Sequence, residues 1–283
     1  MVEITAAAVK SLRERTGAGM MDCKRALQEA GADEERAIDI LRKSGAARAA
    51  KRAEREVAEG TVVIARDEAS GAIAMVEVSS ETDFVARNQA FMAFAQRAAE
   101  TALAYGGDGE PRPGEELLDL PEEASLRAEL DDLRAKIGEN LSLSRFVRYE
   151  APAGSALGSY SHFGSQIGVL IQLEGSQEAA VSLARELAMH IAAADPVGIS
   201  PDDIPEEERE RERRVLEEQA IAEGKPPEIA ARIVEGRMRK FFEGTALLWQ
   251  PFVKDPDRKV SALLEDVGPD VKVKRFVRFA IGG

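Results

Sequence analysis

An acidic residue beside a large aromatic one, Asp83 and Phe84, is the pair in this sequence best suited to contact with a charged cleft. Both lie in residues 82–88, between a predicted strand and a helix that Asn88 can cap. A strand-to-helix loop presents side chains outward on a rigid base. Phe84 therefore either enters a partner's cleft as an exposed ring, or fills space beneath its own loop.

The sequence contains no recognisable set of catalytic residues. The sequence contains no G-x-x-x-x-G-K-[ST] phosphate loop, no strand-linked G-x-G-x-x-G, no H-E-x-x-H and no G-x-S-x-G motif. One cysteine and two histidines cannot supply four zinc ligands without carboxylates. We expect a protein that is not an enzyme, holds no metal or cofactor, and acts on any nucleotide through another protein.

Composition narrows the classes of protein further. The chain has 283 residues, 44% of them hydrophobic, and no apolar run approaches the roughly 20 residues of a membrane helix. The N-terminus shows no basic leader, and the single Cys23 cannot form an internal disulfide, so we expect a cytoplasmic protein. The net charge of −13 argues against direct nucleic-acid binding.

The charge is unevenly distributed. Residues 1–55 hold twelve Lys/Arg and nine Asp/Glu, net +3, which leaves −13 − 3 = −16 for residues 56–283. A basic module on an acidic body suits steering toward an acidic protein partner, although ordinary surface variation produces the same pattern.

Residues 1–55 are predicted to form a three-helix bundle. Thr5 and Asp33 can cap the first and third helices, and the Gly17-Ala18-Gly19 turn separates the first two. The third helix is predicted to end near Ser44-Gly45, before a basic, alanine-rich segment.

Residues 56–152 are predicted to form an α+β subdomain. Segments 61–66, 72–79 and 141–150 have the composition of strands, and helices are predicted between the second and third. Residues 108–114, rich in glycine and proline, are predicted to be a linker.

Residues 153–283 repeat this subdomain. Arg-Phe-Val-Arg-Tyr at 145–149 recurs as Arg-Phe-Val-Arg-Phe at 275–279, an offset of 275 − 145 = 130, and the strand at 73–76 matches 167–170, an offset of 167 − 73 = 94. The second copy has therefore gained about 130 − 94 = 36 residues, which we place in a charged helical hairpin at 205–242. The expected fold is α+β, with two duplicated subdomains of three-stranded antiparallel sheets.

Two motifs carry a resemblance to a known family. Residues 82–88, Thr-Asp-Phe-Val-Ala-Arg-Asn, resemble the TDFVA(K/R)N signature of the elongation factor Ts family, and residues 12–24 resemble its N-terminal signature. Residues 136–140, 158–160, 188–190 and 234–238 also look like family segments. The resemblance implies an N-terminal ubiquitin-associated-like bundle, a two-part core and a coiled-coil hairpin. Some members carry an extra C-terminal helical module, and contacts made by that module are not expected here.

The resemblance also implies a function. Family members bind elongation factor Tu in its GDP form, disturb its Mg²⁺ site and promote GDP release so that GTP can rebind. Mg²⁺ neutralises phosphate charge, so a disturbed site weakens GDP binding. The alternative is a structural or chaperone-like protein that holds Tu without promoting exchange.

The family's contacts are carried over to matching positions in three groups. The Mg²⁺ side of Tu is expected to meet Thr82, Asp83, Phe84 and Val85. The N-terminal bundle is expected to bind Tu through Arg13, Met20, Met21 and Lys24. The second subdomain is expected to contribute His162, Val234 and Met238.

Helical phase and position qualify these expectations. Met20 lies seven residues before Leu27, hence on the inward face, whereas Met21 is turned about 100° away, so we favour Met21 as the contact. His190, amid apolar neighbours, is expected to pack within its domain, and Arg148 and Arg278 on the terminal strands are expected to be solvated.

The hairpin leaves the stoichiometry open. Its apolar positions either form the hairpin's own seam or meet a second copy of the chain, and they include Val215, Leu216, Ile229, Ile233 and Val234. A homodimer or a complex of two copies with two Tu molecules is therefore possible.

Overall fold

A computed structural model describes residues 4–16, 18–53, 55–121, 125–162, 164–175, 178–224 and 226–282. The fold is α+β, as predicted, with a helical N-terminal bundle before a body that contains antiparallel sheets. We call residues 56–152 the N-subdomain and residues 153–282 the C-subdomain. No described helix is both long enough and apolar enough to span a membrane.

The N-terminal bundle contains α1 (Ala6–Thr16), α2 (Met20–Ala30) and α3 (Glu34–Ala53). Leu12, Cys23 and Leu27 are buried at its centre. Gly31 ends α2 in the left-handed region at φ 69°, where glycine has no Cβ penalty. The prediction that α3 ends near Ser44-Gly45 is wrong, since a glycine inside a helix costs only about 1 kcal/mol and the alanine-rich residues that follow favour helix.

The N-subdomain contains β1 (Glu59–Arg66), β2 (Ile73–Ser80), α4 (Asp83–Ala86), α5 (Gln89–Tyr105), β3 (Arg112–Pro113), α6 (Glu115–Leu118), α7 (Leu126–Ile137) and β4 (Leu141–Tyr149). Its antiparallel sheet has the order β1-β2-β4-β3. One face packs on α5 and α7 around Phe91, Phe94, Leu130 and Phe146.

The short strand β3 lies in the segment predicted to be a linker, so the sheet has four strands in the described residues rather than three. Glycine explains the close approach, because a Cβ on Gly114 would lie 2.0 Å from the carbonyl oxygen of Leu143 in β4.

The C-subdomain contains β5 (Ser155–Ser161), β6 (Ile167–Glu174), α8 (Glu178–Ala194), α9 (Glu206–Ala222), α10 (Pro227–Thr245), β7 (Pro251–Phe252), β8 (Asp255–Lys259), α11 (Val260–Val267) and β9 (Lys272–Ala280). The sheet has the order β5-β6-β9, and β7 and β8 form a separate ribbon. One face of the sheet packs on α8 and α11.

Strand pairing corrects the offset between the two subdomains. The β-bulge in β2 at Glu77/Val78 corresponds to the bulge in β6 at Gln172/Leu173, an offset of 172 − 77 = 95 rather than 94. Because side chains alternate between faces, the one-residue error would place every matched residue on the wrong face. The corrected difference is 130 − 95 = 35 residues, and the helices α9 and α10 lie in the second copy.

The sheets pack against each other through the faces that do not carry helices. Met75, Val147 and Tyr149 from one sheet meet Leu170 and Phe279 from the other, and all are buried. Gly168 permits the contact, because a Cβ there would lie 2.5 Å from Cγ1 of Val62. The body therefore has four layers: helices, sheet, sheet, helices.

Two arginine–aromatic contacts cross this junction in a reciprocal manner. The guanidinium of Arg145 lies 4.3 Å from the ring centre of Phe279, and that of Arg275 lies 4.1 Å from the ring centre of Tyr149. Both rings are buried, and burial raises the pKa of the Tyr149 phenol despite the opposing charge of Arg275.

Candidate partner-binding site

The connection from β2 to α5, residues 81–88, is called the Phe84 turn. It is not the open loop that was predicted, because residues 83–86 form the single helical turn α4. Thr82 has extended backbone angles, and its hydroxyl oxygen accepts the N–H of Val85 at 3.5 Å. Asn88 caps the next helix by accepting the N–H of Ala90 at 2.9 Å. Two successive N-caps therefore define the turn.

The side chain of Phe84 points into solvent. Its relative exposure is 82%, whereas the adjacent Val85 is 8% exposed and packs into the core of the N-subdomain. The interpretation of Phe84 as a plug beneath its own loop is therefore wrong. The expectation of a partner contact at Val85 is corrected too, since one turn of helix sends neighbouring side chains in different directions and Val85 anchors the turn.

Charged and polar groups surround the ring. Arg87 Nη2 lies 3.4 Å from Asp83 Oδ2, and both side chains are well exposed. Thr82 is held from below, because Glu139 Oε1 accepts its hydroxyl at 2.7 Å and Glu139 Oε2 accepts its backbone N–H at 3.2 Å. The turn thus displays an aromatic ring and a carboxylate on a hydrogen-bonded base.

The corresponding connection in the C-subdomain is much shorter. Three residues, 175–177, join β6 to α8, whereas eight residues, 81–88, join β2 to α5. The two helices have the same length, 17 residues each. The connection in the N-subdomain is therefore longer by 8 − 3 = 5 residues, and of its side chains Val85 contributes to the core whereas Phe84 does not.

The N-terminal bundle presents a second exposed group. Arg13, Met20, Met21 and Lys24 are all exposed, at 56% for Met20 and 64% for Met21. The prediction that Met20 packs inward is wrong. Met20 is the first residue of α2, so its inward phase points beyond the end of the bundle core, which begins at Cys23 on this helix.

The two histidines have opposite environments. His162 is exposed in the turn after β5, where its Nδ1 lies 3.1 Å from the hydroxyl of Tyr160. His190 is fully buried, Nε2 lies 2.9 Å from Gln250 Oε1, and Nδ1 accepts the N–H of Val253 at 3.2 Å. Burial lowers the pKa of His190, so it is a neutral core residue.

A family model described as Elongation factor TS matches residues 81–283. The elongation factor Ts of Thioalkalivibrio sulfidiphilus is 47% identical over 280 residues, which cover 99% of this chain and 92% of that protein. Its counterparts are 45% identical over 280 residues in Alkalilimnicola ehrlichii and 44% identical over 285 residues in Aquifex aeolicus, where the match covers 97% of both chains. The chain belongs to the elongation factor Ts family.

Within this member of the elongation factor Ts family, Val234 and Met238 do not lie at the surface. They are 4% and 3% exposed, in the seam that α10 forms with Leu216 and Ala220 of α9. Their expected role as partner contacts is corrected to one in holding the hairpin together. The helical spacing of these apolar positions fits either role, and the contacts with α9 decide for the seam.

Two residues next to the Phe84 turn had no role in the sequence interpretation. Glu139 and Asn140 follow Gly138, which ends α7 at φ 84° and so turns the chain toward α4. The elongation factor Ts resemblance included these residues only as part of a matching segment. Their signal is the helix-ending glycine followed by an acid, which is too common to identify a contact 57 residues away.

A metal-binding role finds no support in the described part of the chain, where no group of three or more His, Cys, Asp and Glu side chains is placed to hold an ion.

Proposed function

We propose that this chain is a guanine nucleotide exchange factor for elongation factor Tu, with Phe84 and Asp83 as the residues that act on the nucleotide site of Tu. One observation carries the proposal: Phe84 is 82% exposed on a capped helical turn. A large ring left in water at a rigid position is typical of an anchor that becomes buried in a partner.

The mechanism requires no covalent step from this chain. Insertion of the Phe84 ring between elements of Tu displaces the groups that hold Mg²⁺, and the Asp83 carboxylate adds negative charge near the phosphates. Loss of Mg²⁺ removes a large favourable contribution to GDP affinity. By linkage, a factor that weakens GDP binding is itself bound less tightly when nucleotide returns, so GTP rebinding releases it.

The N-terminal bundle is proposed to supply a separate docking surface through Arg13, Met20, Met21 and Lys24, all of which are exposed. Methionine adapts its shape to a partner, and the basic residues suit an acidic one. His162, exposed on the C-subdomain, is proposed as a further contact.

The test is the Phe84→Ala variant. Because the ring is exposed, its removal changes the free energy of unfolding by about 0.5 kcal/mol or less. Loss of an anchor of about 2 kcal/mol slows GDP release from Tu about 30-fold. Stopped-flow release at saturating factor measures the rate, and thermal melting of the free variant measures stability.

Ile221→Ala is the matched control. It removes another exposed apolar side chain, 71% exposed near the far end of α9, and should leave GDP release unchanged. Release at the wild-type rate by Phe84→Ala would reject the proposed mechanism. Wild-type protein that binds Tu without accelerating release would support the alternative, a factor that holds Tu without exchange.

A further inference from the structure

Glu139 makes two hydrogen bonds to one residue of the Phe84 turn. Its Oε1 accepts the hydroxyl of Thr82 at 2.7 Å, and its Oε2 accepts the backbone N–H of Thr82 at 3.2 Å. An ionised carboxylate is a stronger acceptor than a neutral oxygen, and two bonds fix direction as well as distance. These bonds hold Thr82 at the N-cap of α4, two residues before Phe84.

A second acidic residue completes the connection in the reverse direction. Glu81 Oε1 accepts the backbone N–H of Asn140 at 2.5 Å, so each of the two segments supplies a carboxylate to the other. Arg55 joins the pair, because its guanidinium lies 3.3 Å from Glu81 and its carbonyl oxygen accepts Asn140 Nδ2 at 2.8 Å. We call Glu81, Thr82, Glu139 and Asn140 the carboxylate clasp.

The clasp addresses a physical problem of the site. The helix α4 has only four residues, too few for a stable helix in isolation, and its ring makes no use of the core. Val85 anchors one side of the turn, and Thr82 is the other fixed point. Ser80 Oγ donates to the carbonyl oxygen of Thr82 at 3.0 Å, but only Glu139 accepts both the hydroxyl and the N–H of Thr82. Weaker bonds from Glu139 would therefore loosen the N-cap of α4 while the core beneath it stayed packed.

We propose that Glu139 is a positioning residue for nucleotide exchange, which holds the Phe84 turn in its inserting conformation before the partner arrives. The proposal rests on the proposed function of Phe84 and extends it to a residue 139 − 84 = 55 positions away in sequence. Preorganisation of this kind raises the rate of the step that needs the geometry, with little effect on docking elsewhere.

The Glu139→Gln variant tests the proposal. The amide oxygen can still accept the N–H of Thr82, but the NH₂ group can only donate to the Thr82 hydroxyl, which already accepts the N–H of Val85. Both bonds therefore lose their charged acceptor and become weaker neutral bonds. We expect GDP release at saturating factor to slow about tenfold, with the half-saturating concentration little changed, because misplacement of a reacting group by about 1 Å lowers rate more than binding. In the free variant, the Thr82 amide should exchange with deuterium faster than in the wild type.

A double-mutant cycle separates positioning from general stability. If Glu139 acts through the ring, Glu139→Gln has no further effect in a Phe84→Ala background, whereas an independent structural effect would multiply with it. Thr82→Val, which lacks the hydroxyl, should reproduce the defect, and Thr82→Ser should retain most of the rate. Glu68→Gln, the same charge change at an exposed turn residue, should behave as wild type.

The outcomes distinguish the two proposals. Slow release by Phe84→Ala together with wild-type or multiplicative behaviour of Glu139→Gln would overturn the positioning role and leave the proposed function intact. A wild-type rate for Phe84→Ala would overturn the proposed function and the positioning role with it. If Glu139→Gln melts well below the wild type, Thr82→Val and Thr82→Ser provide the test instead, because they change the same hydrogen bonds from the side of Thr82. Equal GDP release rates for these two variants would overturn the positioning role.

Discussion

The two subdomains join their central strand to their long helix in different ways. In the C-subdomain the connection is the three residues 175–177, whereas in the N-subdomain it is the eight-residue Phe84 turn. The three long strands of each sheet, the bulges and the 17-residue helices otherwise correspond. Residues that both copies keep hold the fold together, and residues that one copy adds are available for another use.

Shortening the Phe84 turn should have the largest effect on function. Replacement of residues 81–87 by Gly-Ser, with Asn88 kept as the cap, gives a three-residue connection. We expect a folded body whose GDP release activity toward Tu falls to the unassisted rate, since the ring and the carboxylate are both lost. Loss of buried Val85 should cost about 1.5–3 kcal/mol in the free energy of unfolding.

The matched control changes the other copy. Residues 175–177 are already Gly-Ser-Gln, so Gln177→Asn alone gives both subdomains the connection Gly-Ser-Asn, and it should leave exchange intact. If the shortened N-subdomain still accelerates GDP release, the five additional residues are not the site. If it fails to fold, three residues are not enough for this strand and helix.

Truncation of Tyr149 and Phe279 tests the interface between the two sheets, to which both subdomains contribute in the same way. Phe279→Ala and Tyr149→Ala each remove a buried ring that an arginine from the other sheet covers, so each should lower the free energy of unfolding by about 3–5 kcal/mol. Denaturant titration measures both. Tyr149→Phe, which makes the two positions identical, should cost less than about 1.5 kcal/mol.

Nearly equal losses would support equivalent roles for the two rings. A Phe279→Ala variant with wild-type stability would contradict the packing of the sheets described above.

A smaller effect is expected on the pH dependence of stability, to which the buried His190 of the C-subdomain contributes. The pKa of His190 in the folded C-subdomain is lowered from 6.5 by burial, so the unfolded chain binds more protons below that pH. The contribution of neutral His190 to stability is therefore complete above about pH 6.5 and is lost as the pH falls. His190→Asn should show a smaller drop in melting temperature than the wild type between about pH 7.5 and about pH 5.5.

His162→Asn, the same substitution at an exposed position, is the control for the change of residue type. If the melting temperature of His190→Asn falls as steeply with pH as that of the wild type, the loss of stability in acid comes from carboxylates elsewhere and not from His190.

Much of the fold follows from local pattern, and the failures have physical causes. Strand composition and the Arg-Phe-Val-Arg repeat predicted the main strands, because alternation and repetition are properties of the sequence itself. Arg148 and Arg278 were expected to be solvated, yet their side chains are 14% and 20% exposed: the Nε of Arg148 donates to the carbonyl of Leu103 near the end of α5, and Arg278 pairs with Asp195 after α8. Such contacts depend on tertiary packing, which no local pattern contains.

The position of the candidate site could be predicted from the sequence, but the exposure and contacts of its residues could not. The motif located Asp83 and Phe84, but a sequence does not report exposure. Only the folded structure distinguishes an exposed Phe84 ring from one that fills space beneath its own loop. Met20 was expected to pack inward from its helical phase, and Val234 and Met238 were expected as contacts from the family resemblance. Neither helical phase nor a matching motif identifies what covers a side chain in the folded chain. Glu139 was missed because its partner Thr82 is close only in the folded chain.

The reciprocal contacts between the sheets have a consequence for how the chain divides its tasks. Arg145 meets Phe279 while Arg275 meets Tyr149, which is the arrangement of an isologous interface in a two-fold symmetric dimer, here within one polypeptide. In a true homodimer every substitution appears twice, so an inserted loop on one subunit is also present on the other. Covalent connection removes that constraint. One half of this molecule carries the Phe84 turn and the other carries the helical hairpin, while the surface that joins them keeps the two-fold pattern.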